Sequence, residues 1–351
     1  MEEIPMCATT WAQLKAFFSP SSPAPTASGD QAATASRPGT VAPEPEPPIE
    51  LATVAVEPEP PLEPTLEILG RPRDGKTSFI WALHFMLRRL SWVWPQYLCW
   101  SDEETEKQIR QELMAVQLRR LPDQNAGMGG RSYRLMLKEM ERWGDRPLVL
   151  VDDRAGPFGE AEPGAAGREI NWGASICWLL SLADLDAIDA QLVDVQLTDL
   201  VRARLRSARS IEAEPLKLVI ALNKADRLPN LPDSLRRYLK ADPIAAVVEA
   251  EGQLKAEGVG PGDPALRFDD QAVALYLERM WEVHDELAAW LSRSLAGHLL
   301  ARRAAEHQLE MRFCLVSATG SDLTANGQLA IPWSPRRVLD PLFWALELES
   351  S

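Results

Sequence analysis

The string Gly70-Arg71-Pro72-Arg73-Asp74-Gly75-Lys76-Thr77 constrains this chain more than any other, because of what flanks it. Before it stands the short apolar run Leu66-Glu67-Ile68-Leu69, which reads as a buried strand; after it comes "SFIWALHFMLRRL", whose length predicts a helix. The two glycines let the backbone turn tightly enough for its N–H groups to converge, and the helix aims its positive end at the same point. A strand feeding a helix in this way belongs to a layered α/β arrangement.

The alternation continues. "SDEETEKQIRQELMAVQLRRL" opens with Ser101 and Glu104 in capping-box spacing and reads as helix. "SYRLMLKEM", "PLVLVDD", "ASICWLLSL" and "LKLVIALNKAD" read as strands, with "DAIDAQLVDVQLTDLVRARLRSA" a long helix among them, and "MRFCLVSATG" as the last strand. The expectation is a mainly parallel sheet covered by helices on both faces. Between about residues 227 and 308 a helical insertion precedes the last strand, its apolar positions Val273, Leu277, Met280, His284, Leu287, Leu291 and Leu295 stepping by three or four. "SPRRVLDPLFWALELE" is read as a closing helix. The window "FIWALHFMLRRLSWVWPQYLCW" is interrupted by Arg88-Arg89 and Pro95, which argues for a buried helix and its exit loop and against a membrane span.

Ahead of the α/β part, residues 19–64 are rich in Pro, Ala, Ser, Thr and Glu and hold no aromatic residue, so they read as a disordered tether. Residues 1–18 carry Trp11, Leu14, Phe17 and Phe18 at helical spacing, either a frayed terminal helix or a docking peptide. The net charge of −14 disfavours phosphate-backbone binding, so no direct nucleic-acid partner is expected. Cys7, Cys99, Cys177 and Cys314 form no C-x-x-C pair and the start of the chain has no basic, apolar leader; both point to reduced thiols and a cytoplasmic setting.

Four strand ends carry the chemistry. Gly70 to Thr77 fits the phosphate-cradling pattern: Gly70, Asp74, Gly75 and Ser78 complete the loop, Lys76 reaches the β and γ phosphates, and the Thr77 hydroxyl serves Mg²⁺. Asp153, at the end of "PLVLVDD", is placed to hold Mg²⁺ through water and Gly156 to offer its N–H to the γ-phosphate; the alternative is an aspartate that caps the next turn. In Asn223-Lys224-Ala225-Asp226, the Asp226 carboxylate suits the N1–H and exocyclic amine of guanine, where adenine has no donor. Ser317-Ala318 ends the last strand and offers a backbone N–H to guanine O6.

In this order the four sites resemble the motif set of the P-loop GTPases, in the translation-factor-related class that includes the Ras-like proteins, over residues 65–351. "GRPRDGKTS" is similar to phosphate loops of bacterial members of that class. The helix-rich stretch before the last strand and "VLDPLFWALE" are similar to the bacterial double-GTPase family, a resemblance that implies a place in multi-gene conflict or defence systems. The resemblance as a whole implies a P-loop NTPase fold, GTP and GDP as ligands, Mg²⁺, and hydrolysis governed by a partner.

The chain also departs from that set. The family's loop threonine before the second strand has no clear counterpart: between Thr77 and Asp153 the only threonine is Thr105, inside a predicted helix, with Asn125 or Ser132 as substitutes. Pro157 stands where Ras-like enzymes carry a water-orienting glutamine, which leaves Glu160 or a partner's residue for that task. Arg73 either supplies positive charge to the phosphates in cis or is a solvent-facing loop arginine. These gaps keep two rivals open, a pseudo-GTPase scaffold and an ATP-dependent P-loop adaptor. A protein partner is expected on the insertion or the N-terminal segment, and homo- or hetero-oligomers remain open.

Overall fold

A computed structural model describes residues 65–70, 74–94, 97–100, 103–117, 131–138, 145–152, 175–181, 195–200, 217–320 and 333–346, apart from single positions inside those ranges. All belong to the unit Glu63–Ser351. The N-terminal helix and tether read from the sequence lie outside the described residues, as do Arg73, Asn125, Asp153, Gly156, Pro157 and Glu160.

The strands are β1 (Thr65–Leu69), β2 (Tyr97–Trp100), β3 (Arg131–Lys138), β4 (Arg146–Asp152), β5 (Ser175–Ser181), β6 (Lys217–Asn223) and β7 (Glu310–Leu315). They form one seven-stranded sheet in the order β2-β3-β4-β1-β5-β6-β7. β1 lies parallel between β4 and β5, and β6 and β7 continue the parallel run; β3 is antiparallel to both neighbours. The sheet is therefore mainly parallel. β3 and β4 are joined by a short connection, which suits antiparallel neighbours, whereas the parallel strands need crossovers.

Central strands of such a sheet are apolar on both faces, and β5 and β6 are buried at every position after the first. Trp178, Leu180, Ile220 and Leu222 join one core cluster with Leu197, Leu200, Leu287 and Leu291. Helices α1 (Lys76–Arg89) and α2 (Glu103–Gln117) follow β1 and β2. Between β6 and β7 come α3 (Asp233–Lys240), α4 (Pro243–Ala256), α5 (Asp270–Leu291) and α6 (Leu295–His307); α7 (Asp340–Ala345) comes last.

α5 explains one histidine of the apolar stripe. β7 ends the sheet, and an edge strand leaves N–H groups unpaired. The Phe313 N–H donates to His284 Nδ1 at 3.0 Å, and the imidazole stacks on Phe313 with centroids 5.6 Å apart. Burial holds the His284 pKa below its ordinary value, so the ring stays neutral and accepts. His298, by contrast, is exposed.

Three sequence readings need correction. Tyr97–Trp100 is not an exit loop but the edge strand β2, paired with β3 from Tyr97↔Lys138 to Trp100↔Leu135. The stripe of the insertion does not reach Leu295, which is 69% exposed. The helix breaks at Ser292–Ser294, where the Ser294 hydroxyl caps the Gly297 N–H at 3.0 Å. Gly297 is needed there, because a Cβ would lie 1.9 Å from the Leu291 carbonyl oxygen. The closing helix is short, and its predicted first part, Ser334 to Arg337, is extended or turn instead.

A buried polar junction ties the insertion to the C-terminal segment. Tyr238 of α3 and Tyr276 of α5 each donate to Asp340, both at 2.6 Å. Arg337, 1% exposed, donates from Nε to the Tyr238 carbonyl at 3.1 Å and from a terminal nitrogen to the Ala241 carbonyl at 2.8 Å. Its backbone N–H donates to Asp242 at 2.6 Å, and Asp242 also caps α4 at Ile244 and Ala245. Burial pushes the Asp340 carboxyl up to about 6, against the opposing pull of Arg337 and the two tyrosines.

A carboxyl raised from 3.8 to about 6 on folding contributes stability that is present below the unfolded value and lost as pH rises through the folded one. Asp340→Asn removes that titration. Urea melts from pH 4 to pH 7 should therefore show the variant gaining on wild type as pH rises, by on the order of 3 kcal/mol across the window. A constant difference would show that Asp340 does not titrate there.

Candidate functional site at the carboxyl ends of the strands

The chain leaves β1 toward β2, β3 and β4 on one side and later adds β5, β6 and β7 on the other. Open sheets form their binding crevice at the carboxyl ends where the strand order reverses, and here that point is the end of β1. The register brings the motif-bearing ends together. Ile68 pairs with Asp152, Leu69 with Trp178, Ser181 with Asn223, and Leu222 with Leu315.

Gly70 is buried and sits so close to β5 that a Cβ would lie 3.0 Å from the Leu179 carbonyl oxygen. Gly75 has φ 89°, a left-handed conformation that disfavours side chains, and a Cβ there would meet Asn223 Nδ2 at 2.8 Å. The Gly75 carbonyl accepts from the Phe79 N–H at 2.8 Å and starts α1. Gly75 supplies no side-chain cap and the first turn, with Thr77 and Ser78 half-buried, holds no acid. That leaves the helix N-terminus suited to an anion. Lys76 donates from Nζ to the Gly70 carbonyl at 2.5 Å.

Asn223, 1% exposed, joins this loop to the next motif. Its Nδ2 donates to the Asp74 carbonyl at 2.8 Å and its Oδ1 accepts from the Lys224 N–H at 2.8 Å. Both faces of the amide are thus used, a demand that favours Asn over Asp at this place. Lys224 is left-handed at φ 58°, and the Ala225 N–H then donates to the Val316 carbonyl at 3.2 Å. Asp226 is exposed but not loose: its Oδ1 accepts from the Ser317 hydroxyl at 2.5 Å. Ser317 Oγ accepts in turn from the Gly320 N–H at 3.1 Å. Gly70, Asp74, Gly75, Lys76, Asn223, Lys224, Asp226, Ser317 and Ala318 therefore form one connected, largely buried network.

Of the remaining sequence candidates, Arg73, Asp153, Gly156 and Glu160 lie outside the described residues. Asp153 follows Asp152, the last residue of β4, whose Cα pairs with Ile68 two residues before Gly70. Thr77 and Asp153 are both oxygen donors, the chemistry a hard cation such as Mg²⁺ takes. Among the described residues no cluster of three or more His, Cys, Asp or Glu side chains is arranged to hold a metal.

Two residues escaped the sequence reading. Ser181 is fully buried, its hydroxyl has no hydrogen-bond partner among the described residues, and its Cα pairs with that of Asn223. Trp333 donates from Nε1 to the Ala318 carbonyl at 2.8 Å. Neither lies in a motif; Ser181 at a strand end is the one a closer reading would have marked.

Fold and site together define an α/β protein with an anion-suited glycine loop and a buried asparagine link at the carboxyl edge of a mainly parallel sheet. No known family's sequence model matches the chain, and no curated protein matches it. Among the described residues no helix is long and apolar enough to cross a membrane.

Proposed function

We propose that the chain is a P-loop GTPase of the translation-factor-related class that binds GTP and GDP with Mg²⁺ and hydrolyses GTP slowly, as a switch governed by a protein partner. The observation that carries this reading is the hydrogen bond from Asn223 Nδ2 to the Asp74 carbonyl, 149 residues apart in sequence. It physically joins the two motifs that were singled out for phosphate and base. The Ser317 bond to Asp226 supports it further, because it orients a carboxylate at the rim of the same network.

In this reading the helix N-terminus and Lys76 take the phosphates, Lys76 exchanging the Gly70 carbonyl for phosphate oxygens. Thr77 and Asp153 would hold Mg²⁺, which when bound would supply Lewis-acid stabilisation of the phosphate charge. Asp226 takes the guanine N1–H and amine, and the Ala318 N–H takes O6. Gly156 meets the γ-phosphate, Glu160 orients the attacking water, and Arg73 adds positive charge. The helical insertion is the surface for the partner, and a place among bacterial double GTPases of conflict systems follows from the same resemblance. Pro157 in place of a glutamine favours a second reading, a scaffold that binds the nucleotide without turning it over.

The test is displacement of a fluorescent GDP analogue from the full chain by GTP, GDP and ATP with Mg²⁺, followed by single-turnover hydrolysis. Guanine nucleotides should compete at least about a hundredfold better than ATP, and Lys76→Ala should weaken GTP binding by a similar factor. Equal competition by ATP would remove the guanine assignment. Tight binding without hydrolysis would favour the scaffold.

A further inference from the structure

The base loop Ser317–Gly320 does not stand alone. The Ser317 N–H donates to the Arg336 carbonyl at 3.0 Å and the Arg336 N–H returns a bond to the Ser317 carbonyl at 2.9 Å. The Ser334 N–H donates to the Thr319 carbonyl at 3.3 Å. Gly320 is left-handed at φ 66°, and a Cβ there would lie 2.1 Å from the Ser334 carbonyl oxygen, so only glycine lets the two segments approach this closely. Residues 333–337 thus run as a brace along the loop.

The brace is held at several points. Glu249 of α4 accepts from Arg336 at 2.5 Å and from the Ser334 hydroxyl. Arg337 locks the far end into the buried junction with Asp242 and Tyr238. At the near end the Trp333 indole rests on Phe85 of α1, centroids 4.8 Å apart, and donates to the Ala318 carbonyl. Ala318 is 4% exposed, and its own N–H has no hydrogen-bond partner among the described residues. The Ala318 N–H is therefore open to an acceptor supplied by a ligand.

We propose that Trp333 is the positioning residue for recognition at purine C6: by fixing the Ala318–Thr319 peptide it aims the adjacent Ala318 N–H at the 6-oxo group. The assignment rests on the guanine-binding reading above. Trp333 does not touch the base; it acts through Ala318, one peptide removed. Asp226, held by the Ser317 hydroxyl, reads the other edge, at N1 and the 2-amine, so the two halves of the pocket are separable by ligand chemistry.

Three triphosphates separate them: GTP; inosine triphosphate, which lacks only the 2-amine; and 2-aminoadenosine triphosphate, which keeps the 2-amine but carries an amine at C6 and no N1–H. Each is titrated by displacement of the fluorescent GDP analogue from wild type, Trp333→Phe and Trp333→Tyr, with a thermal melt of each protein. Phenylalanine keeps an aromatic ring against Phe85 and deletes the donor; tyrosine keeps ring and donor. Trp333→Phe should lower the preference for GTP over 2-aminoadenosine triphosphate by about tenfold and change the preference for GTP over inosine triphosphate less than about twofold. Trp333→Tyr should retain most of the C6 preference. Equal weakening of all three ligands in the phenylalanine variant, or no change, overturns the proposal while leaving guanine binding intact. If the phenylalanine variant does not fold, loss of C6 preference in a folded tyrosine variant overturns it. A wild type with no preference for GTP over either ATP or 2-aminoadenosine triphosphate overturns the guanine reading, and this assignment with it.

Discussion

Asp226→Asn is expected to weaken GTP binding by roughly two to three orders of magnitude while the protein melts within a few degrees of wild type. The carboxylate is assigned two donors on guanine, and charge-assisted hydrogen bonds contribute about 1.5–3 kcal/mol each. Asparagine keeps one acceptor oxygen but turns an N–H toward a donor, so one bond is lost and one contact becomes repulsive. The fold should tolerate the change, since Asp226 is exposed and its contact with Ser317 needs only an acceptor oxygen. A xanthine nucleotide, with a carbonyl at C2 in place of the amine, should bind the variant better than it binds wild type. Isothermal titration with GTP and xanthosine triphosphate checks both directions. Unchanged GTP affinity would place the base elsewhere and return Asn223 to Asp226 to the role of a strand-end turn.

Arg337→Ala should instead act on stability, lowering the unfolding free energy by about 3–5 kcal/mol. The guanidinium is fully buried, lies 3.7 Å from the Tyr238 ring centroid and donates to two backbone carbonyls. Removing it leaves Asp340 and Asp242 without their buried cation and strips those carbonyls of donors. Against the 5–15 kcal/mol typical of a domain, such a loss is a large fraction, and urea denaturation should show a clearly lower midpoint with the slope preserved. Arg337→Lys should recover only part of the loss, because an ammonium cannot present two separated N–H groups to Tyr238 and Ala241 at once. A midpoint within error of wild type would mean that the junction is no more stabilising than an apolar contact. The Arg337 and Asp226 variants thus separate folding from recognition.

Several local choices were readable because one short segment carries the whole cause. Gly75 had to be glycine for its left-handed turn, and Lys76 followed at the start of a helix whose apolar face was plain in "SFIWALHF". β5 and β6 were readable from unbroken apolar runs, which only strands covered on both faces can bury. β2 was not, because four apolar residues after Pro95 have no period that separates a strand from a loop; pairing with β3 decided it. Leu295 matched the helical stripe, yet the helix breaks at Ser292–Ser294 just before it, where Ser294 caps the next helix, a local signal that the spacing count overrode.

By itself, then, the sequence determined which residues make the glycine loop, the Asn223 to Asp226 turn and the apolar strands, since backbone sterics and hydrophobic burial act on neighbours in the chain. Only the tertiary structure decided that Asn223 reaches the Asp74 carbonyl, that Ser317 holds Asp226, and that Trp333 and Arg337 brace the loop beside them. Each of those bonds joins groups far apart in sequence, and a hydrogen bond of about 3 Å exists only where the packing of the sheet and its inserted helices has brought donor and acceptor into line.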